Sequence, residues 1–203
     1  MHDGLLVPPP VDSTFTVRSV RPEDLPILIG MYIACFAEAP WLEVFTPEEV
    51  REDFEHILAM KQNVFLVVCQ TPPLASSPCQ GGTEGVLGAA IGFPVAEKPP
   101  VQADLPTEDR ESFYVAEIFV DRSRRNRLLS LAVTTQLLAA ARAIGFDRYS
   151  VRTSIDQPRI IRLFTDHFEA TEVGRQEVTS MKNIDGAMRE MPDTRVIMSG
   201  PIR

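Results

Sequence analysis

The chain has 203 residues, with 28 acidic side chains against 20 basic ones and a net charge of -8. At 44% hydrophobic and 24% charged, this is the composition of a folded globular domain, which excludes intrinsic disorder, collagen-like sequence and a disulfide-stapled miniprotein. The acidic balance also argues against coating nucleic acid non-specifically, since that needs a basic surface to displace counterions. Cys35, Cys69 and Cys79 lack CxxC or zinc-like spacing, so neither a disulfide framework nor a metal site is expected. Residues 1–13, with Pro8, Pro9 and Pro10 in a row, read as a loose tail before a single domain at 14–203. The start has no basic region followed by an apolar one, and no stretch approaches the roughly 18 apolar residues of a membrane span. The expectation is a cytoplasmic protein.

Order begins near Phe15, where FTVRSV at 15–20 alternates as a half-buried strand does. Pro22, Glu23 and Asp24 suit the first turn of a helix that runs to about Ala37. Thr46, Pro47 and Glu49 predict the start of a second helix, with Thr as N-cap and Glu closing a capping box. The apolar runs at 63–69 and 85–93 predict a hairpin whose connection, TPPLASSPCQGGTE, is a Pro/Ser/Gly loop. A third apolar strand at 113–120 leads through DRSRRNR into a helix at 128–143, so apolar that it must be covered on most sides. Gly145 ends it. A strand at 148–153, a helix at 158–168 and strands at 172–178 and 194–198 complete one α/β domain with a mixed sheet. Residues 36–46, 70–84, 94–112 and 179–193 read as substrate loops.

The segment from Val120 to Gly145 carries the chemistry. A strand feeding a helix through a short turn aims the helix's unpaired N–H groups and positive dipole end at the strand's carboxyl end, where phosphate or pyrophosphate binds. Four arginines, Arg122, Arg124, Arg125 and Arg127, against Asp121 make a local +3 there. Only three of the chain's basic residues are Lys, and Arg is the better phosphate ligand.

This segment resembles the GNAT superfamily of acyl-CoA-dependent N-acyltransferases. Val120 is followed five residues on by Arg125, and Gly145 falls twenty residues after Arg125, as in the family's pattern. Val17, Arg18 and Pro22 to Asp24 resemble its first strand and turn, Phe36 to Trp41 a variable substrate loop, and Arg162 to Phe168 its second helix motif. The family's small residues in the pyrophosphate turn fall on Leu128 and Ser130, its general-acid Tyr on Phe164 and its helix-opening Asn on Gln157.

The resemblance implies a GNAT-like α/β fold, with a mostly antiparallel sheet of six or seven strands and about four helices. It implies transfer of an acyl group, acetyl first among them, from acetyl-CoA or another acyl-CoA to a small-molecule amine in a ternary complex, without a metal. Donor contacts would come from Phe119, Val120, Arg125, Asn126, Arg127, Leu128, Leu129 and Ser130, with the Val120 backbone N–H as oxyanion donor. Glu117, on the central strand, is the expected general base. Tyr149, and next to it Tyr114, are candidates for the missing acid. Phe36, Glu38, Trp41 and Glu43 would bind the acceptor, and the acidic ones suit a cationic amine. His56 is expected at the surface and His167 as a helix-dipole partner. A homodimer is the expected assembly. Leu128 and Phe164 keep open a donor carried by a carrier protein or an aminoacyl-tRNA, and a non-catalytic binding module remains a further alternative.

Overall fold

The computed structural model describes residues 15–70, 85–124 and 127–203, the side chains of Arg127 and Leu128 excepted. The expected tail at 1–13 and the loop at 71–84 lie outside the described residues. The strands are β1 (Phe15–Ser19), β2 (Val64–Gln70), β3 (Val86–Pro94), β4 (Phe113–Val120), β5 (Arg148–Ser154), β6 (Thr171–Ile184) and β7 (Ala187–Pro201). They form one seven-stranded sheet in the order β1-β2-β3-β4-β5-β7-β6. Every neighbouring pair is antiparallel except β4 and β5. That parallel pair needs a crossover, and α4 (Arg127–Ala143) provides it.

The two faces of the sheet bury separate apolar clusters. On one face, Leu129, Val133, Leu137 and Ala141 of α4 and Leu163 and Phe164 of α5 (Pro158–His167) pack on Leu66, Val115 and Val151. On the other, Leu28 and Ile29 of α1 (Leu25–Phe36) and Val50 and Phe54 of α2 (Pro47–Ala59) pack on Phe65, Val67, Ile91 and Phe119. The α2 cap forms as its sequence predicts: the Thr46 hydroxyl accepts from the Glu49 N–H at 3.2 Å, and the Glu49 carboxylate accepts from the Thr46 N–H at 2.7 Å. Gly145, at φ 107°, closes α4.

Two segments read as loops are built differently. Residues 179–193 belong to β6 and β7, which run as a long hairpin joined by Asp185 and Gly186, both at positive φ. Asp-Gly suits the tight turn that matches strand twist, a signal the sequence did contain. Residues 94–112 fold into short 3-10 turns around α3 (Pro99–Gln102), and Val95, Val101 and Leu105 bury beside Phe93, Tyr114 and Ile197.

One irregularity in the sheet positions the site. β4 pairs with β3 through Ile91↔Glu117 and then Gly92↔Val115, so Ala116 is an extra, bulged residue. Before the bulge Phe113 and Val115 face α4, and after it Ile118 and Val120 do. Glu117 therefore joins Tyr114 and Phe119 on the α1/α2 face. The β4–β5 ladder contains only Phe113↔Tyr149, Tyr114↔Ser150 and Val115↔Val151, although β4 continues to Val120 and β5 to Ser154. The two strands part where the bulge begins. Gly92 fits this close approach, because a Cβ there would overlap the Phe113 ring and reach the Tyr114 carbonyl oxygen at 2.8 Å.

Asp24, 1% exposed, accepts from the Arg18 Nη1 and Nη2 at 2.6 and 2.8 Å and from the Arg21 N–H at 2.8 Å. Arg18 holds its carboxyl below the ordinary carboxylate range. This locks β1 to the turn that opens α1. Asp24→Asn should cost about 2 kcal/mol, less than a fully buried pair because Arg18 is 28% exposed. Since the native carboxyl titrates below its unfolded value, the wild type's advantage is present at neutral pH and shrinks as pH falls below the ordinary carboxylate range, as urea unfolding at several pH values will show. Gly92→Ala should lower stability by about 1–3 kcal/mol in the same assay.

Candidate active site

Glu117 lies where β4 and β5 part, partly buried among the groups of the α1/α2 face. Burial pushes its carboxyl up to about 8, and the neighbouring Glu43 adds to the effect, whereas Lys98, Arg195 and Arg152 oppose it. Burial raises the Tyr32 phenol of α1 well above its ordinary value, and the Glu117 charge adds to the effect, so the phenol stays neutral. Tyr32 is fixed by aromatic contacts with Phe36, Phe45, Phe54 and Phe119 at ring-centroid distances of 4.4 to 5.6 Å. Tyr114, also on this face, is pushed up to about 12 by burial, against the pull of the Arg152 charge.

The expected acceptor residues Phe36, Glu38, Trp41 and Glu43 line a strap between α1 and α2 that is tied to the β6–β7 hairpin. Asn183 N–H donates to the Leu42 carbonyl at 2.7 Å, Glu43 and Lys182 form a β-bridge, and the Lys182 ammonium donates to the Pro40 carbonyl at 3.0 Å. Arg195 of β7 pairs with Glu43 at 3.3 Å and Asp193 at 2.7 Å, and its guanidinium lies 4.6 Å from the Trp41 ring centroid. Trp41 also packs against Phe36 at 5.6 Å. Burial raises the Glu43 carboxyl, with Arg195 opposing. Glu38 pairs with the exposed Arg122 at 3.4 Å. Trp41, Glu43 and Phe36 thus come together with Arg195, while Glu38 points to the arginine turn.

The expected donor residues divide into three groups. Arg125 and Asn126, with the side chains of Arg127 and Leu128, lie outside the described residues. Phe119, Val120 and Leu129 bury their side chains in the two cores. Ser130 is partly buried in the first turns of α4, its carbonyl accepting from the Thr134 hydroxyl at 2.7 Å. The turn before α4 is shaped by Asp121, whose carboxylate accepts from the Ser123 N–H at 2.7 Å, and Arg122 and Arg124 are exposed there.

Tyr149 needs correction as a catalytic acid. It lies on the α4/α5 face, opposite Glu117, with no exposed surface, and its hydroxyl donates to the Phe168 carbonyl at 3.0 Å. Its ring packs on Phe164, itself fully buried. Tyr149 is a packing residue of that core. His56 is exposed. Tyr32, Lys98, Arg152 and Arg195 were missed by sequence reasoning. For Arg152 a signal existed, an Arg in mid-strand whose alternation sets it on the face opposite Tyr149 and Val151. For Arg195, 152 residues from Glu43, there was none.

No helix among the described residues is long and apolar enough to cross a membrane, and no group of three or more His, Cys, Asp or Glu among them could hold a metal ion. No protein-family model and no curated protein matches the chain. Solved structures do. An N-acetyltransferase from Staphylococcus aureus Mu50 superposes with a TM-score of 0.64 at 16% identity, over 93% of this chain and 99% of that one. A GNAT superfamily phosphinothricin acetyltransferase from Sinorhizobium meliloti, in complex with AcCoA, gives 0.63 at 15% over 93% and 89%. A spermidine N-acetyltransferase from Vibrio cholerae, in complex with CoA and spermine, gives 0.62 at 10% over 94% and 97%. The parted parallel strands, the crossover helix and these superpositions together establish that the chain has the fold of GNAT-superfamily N-acetyltransferases.

Proposed function

We propose that the protein is an N-acyltransferase that moves an acyl group, acetyl first among them, from an acyl-CoA to the amine of a small molecule, with Glu117 as general base. The observation that carries this reading is the Glu117 carboxyl raised to about 8 at the point where β4 and β5 part. A base near the operating pH transfers protons most effectively. Because likeness of fold does not by itself fix chemistry, the reading is argued from the site. Neighbours of this fold solved with AcCoA or with CoA support an acyl-CoA as donor. The gap between the parting strands, with the 17-residue α4 beginning after β4, suits an extended acyl donor whose anionic end meets a helix N-terminus.

In a ternary complex the acceptor arrives as an ammonium ion. Glu117 takes one proton and frees the nitrogen lone pair, which attacks the thioester carbonyl carbon. A C–N bond forms, the C–S bond breaks, and the second nitrogen proton ends on sulfur, giving an amide and a thiol. Glu117 then returns its proton to solvent. Phe164 has no hydroxyl and is buried, so it supplies no proton to sulfur.

Isothermal titration should detect acetyl-CoA with Kd of about 1 μM–1 mM, and absence of heat at millimolar ligand overturns the acyl-CoA reading. The wild-type kcat/KM should rise with pH through an inflection near 8 as Glu117 loses its proton. Glu117→Gln should lower kcat about 10²–10⁴-fold and remove the inflection. Stability provides an independent check. The folded chain holds this proton more tightly than the unfolded one, so between the ordinary carboxylate range and about pH 8 the wild type should lose stability relative to Glu117→Gln, with no further change above. Denaturant unfolding at pH 5, 7 and 9 measures the difference.

A further inference from the structure

Glu38 and Glu43 suggest a cationic acceptor when read as sequence, but the fold pairs both. Glu38 meets Arg122 at 3.4 Å, and Glu43 meets Arg195, which also holds Asp193. Lys182, the β-bridge partner of Glu43, brings a second positive charge. Glu43 and Asp193 thus stand against Arg195 and Lys182, two charges of each sign. A polycation docking here would unbalance the cluster.

What the strap presents besides is aromatic. Phe36 and Trp41, the chain's only Trp, are partly exposed and belong to none of the three apolar clusters of the described residues. Large rings left outside a core forgo the burial that ordinarily stabilises them. They are held in place all the same. The Glu43 N–H donates to the Phe36 carbonyl at 2.9 Å, and the Leu42 N–H donates to the Glu38 carbonyl at 2.9 Å. The Phe36 and Trp41 rings lie 5.6 Å apart, with the Arg195 guanidinium 4.6 Å from the Trp41 centroid. An aromatic surface fixed in advance loses little freedom when a ligand arrives.

Ring contacts join this surface to the strand that carries the base. Phe119 stands two residues beyond Glu117 on the same face of β4, and their partners Ala89 and Ile91 share one cluster. The Phe119 ring meets Tyr32 at 5.5 Å, and Tyr32 meets Phe36 at 4.4 Å. Phe119, Tyr32, Phe36 and Trp41 therefore form one continuous row of rings.

We infer that the acceptor is an arylalkyl amine, a small molecule whose amine meets Glu117 while its aromatic end packs on Phe36 and Trp41. This rests on the acyltransferase reading and specifies its substrate class. A polyamine would set a second cation beside Arg195, which already lies over Trp41, whereas an aryl group buries apolar area there.

Trp41 serves as its own probe, because its fluorescence can be excited selectively and no other Trp contributes. Titration of the CoA-loaded protein with phenethylamine or 4-phenylbutylamine should change Trp41 emission saturably, and propylamine and spermidine should produce no such change. In acetyl transfer, at least one of the two arylalkyl amines should exceed propylamine in kcat/KM by about tenfold or more. Trp41→Ala should lower that ratio about tenfold and Trp41→Phe much less, a comparison that general loss of packing would not move because it scales both amines together. If Trp41→Ala fails to fold, the wild-type titration decides. No saturable emission change with either arylalkyl amine, no transfer to either, faster transfer to spermidine or propylamine than to both, or a ratio unchanged in Trp41→Ala overturns the inference and leaves the acyltransferase reading standing. Absence of both acetyl-CoA binding and transfer to any of the amines overturns the two together.

Discussion

The early end of the ladder between β4 and β5 governs the rest of this structure. The two strands share three rungs and then separate, because a bulge at Ala116 bends β4 away and strengthens its local twist. An uninterrupted β4 would place Glu117 with Phe113 and Val115 against α4, where a carboxylate would enter an apolar core. The inserted residue turns it to the opposite face, with Tyr114 and Phe119. The same bulge sets the length of the gap between the strands and requires a residue without a Cβ at Gly92. One extra residue thus fixes the direction of a side chain, the opening beside it and the packing behind it.

Electrostatics on the α1/α2 face follow from a second long-range contact. The strap between α1 and α2 is tied to the β6–β7 hairpin through Leu42, Glu43 and Pro40 on one side and Asn183, Lys182 and Arg195 on the other. Glu43 pairs with Arg195, and the two act on the Glu117 carboxyl in opposite directions, within a field to which Lys98 and Arg152 also contribute. Desolvation still outweighs that field, since the Glu117 carboxyl is raised and not lowered. The net charge of -8 therefore says little about this site, where Lys98, Arg195 and Arg152 favour the charged form of Glu117.

Local signals in the sequence were reliable where the interaction is local. The capping box at Thr46 and Glu49, the closing glycine at 145 and the apolar strands at β2, β3 and β4 depend on residues a few positions apart, so spacing alone specifies them. The Asp-Gly turn of the last hairpin was equally local and was passed over, because the residues around it are largely exposed and the apolar ones, Met181, Ile184, Met188 and Met191, are not spaced by two as in a half-buried strand. Glu117 was legible as a lone acid in an apolar strand. Its direction was not, since a bulge depends on pairing with β3 and leaves no mark in an apolar run. Tyr149 shows the converse error: a hydroxyl in a strand near the site reads as chemistry until the opposite face is seen to bury it.

The sequence by itself determined most of the order of strands and helices and the signals that cap them, because each depends on neighbours along the chain. Only the tertiary structure decided which acids are already paired, which face Glu117 occupies and that Glu43 meets Arg195. Those outcomes are set by contacts between residues tens to more than a hundred positions apart, whose register comes from the assembled sheet.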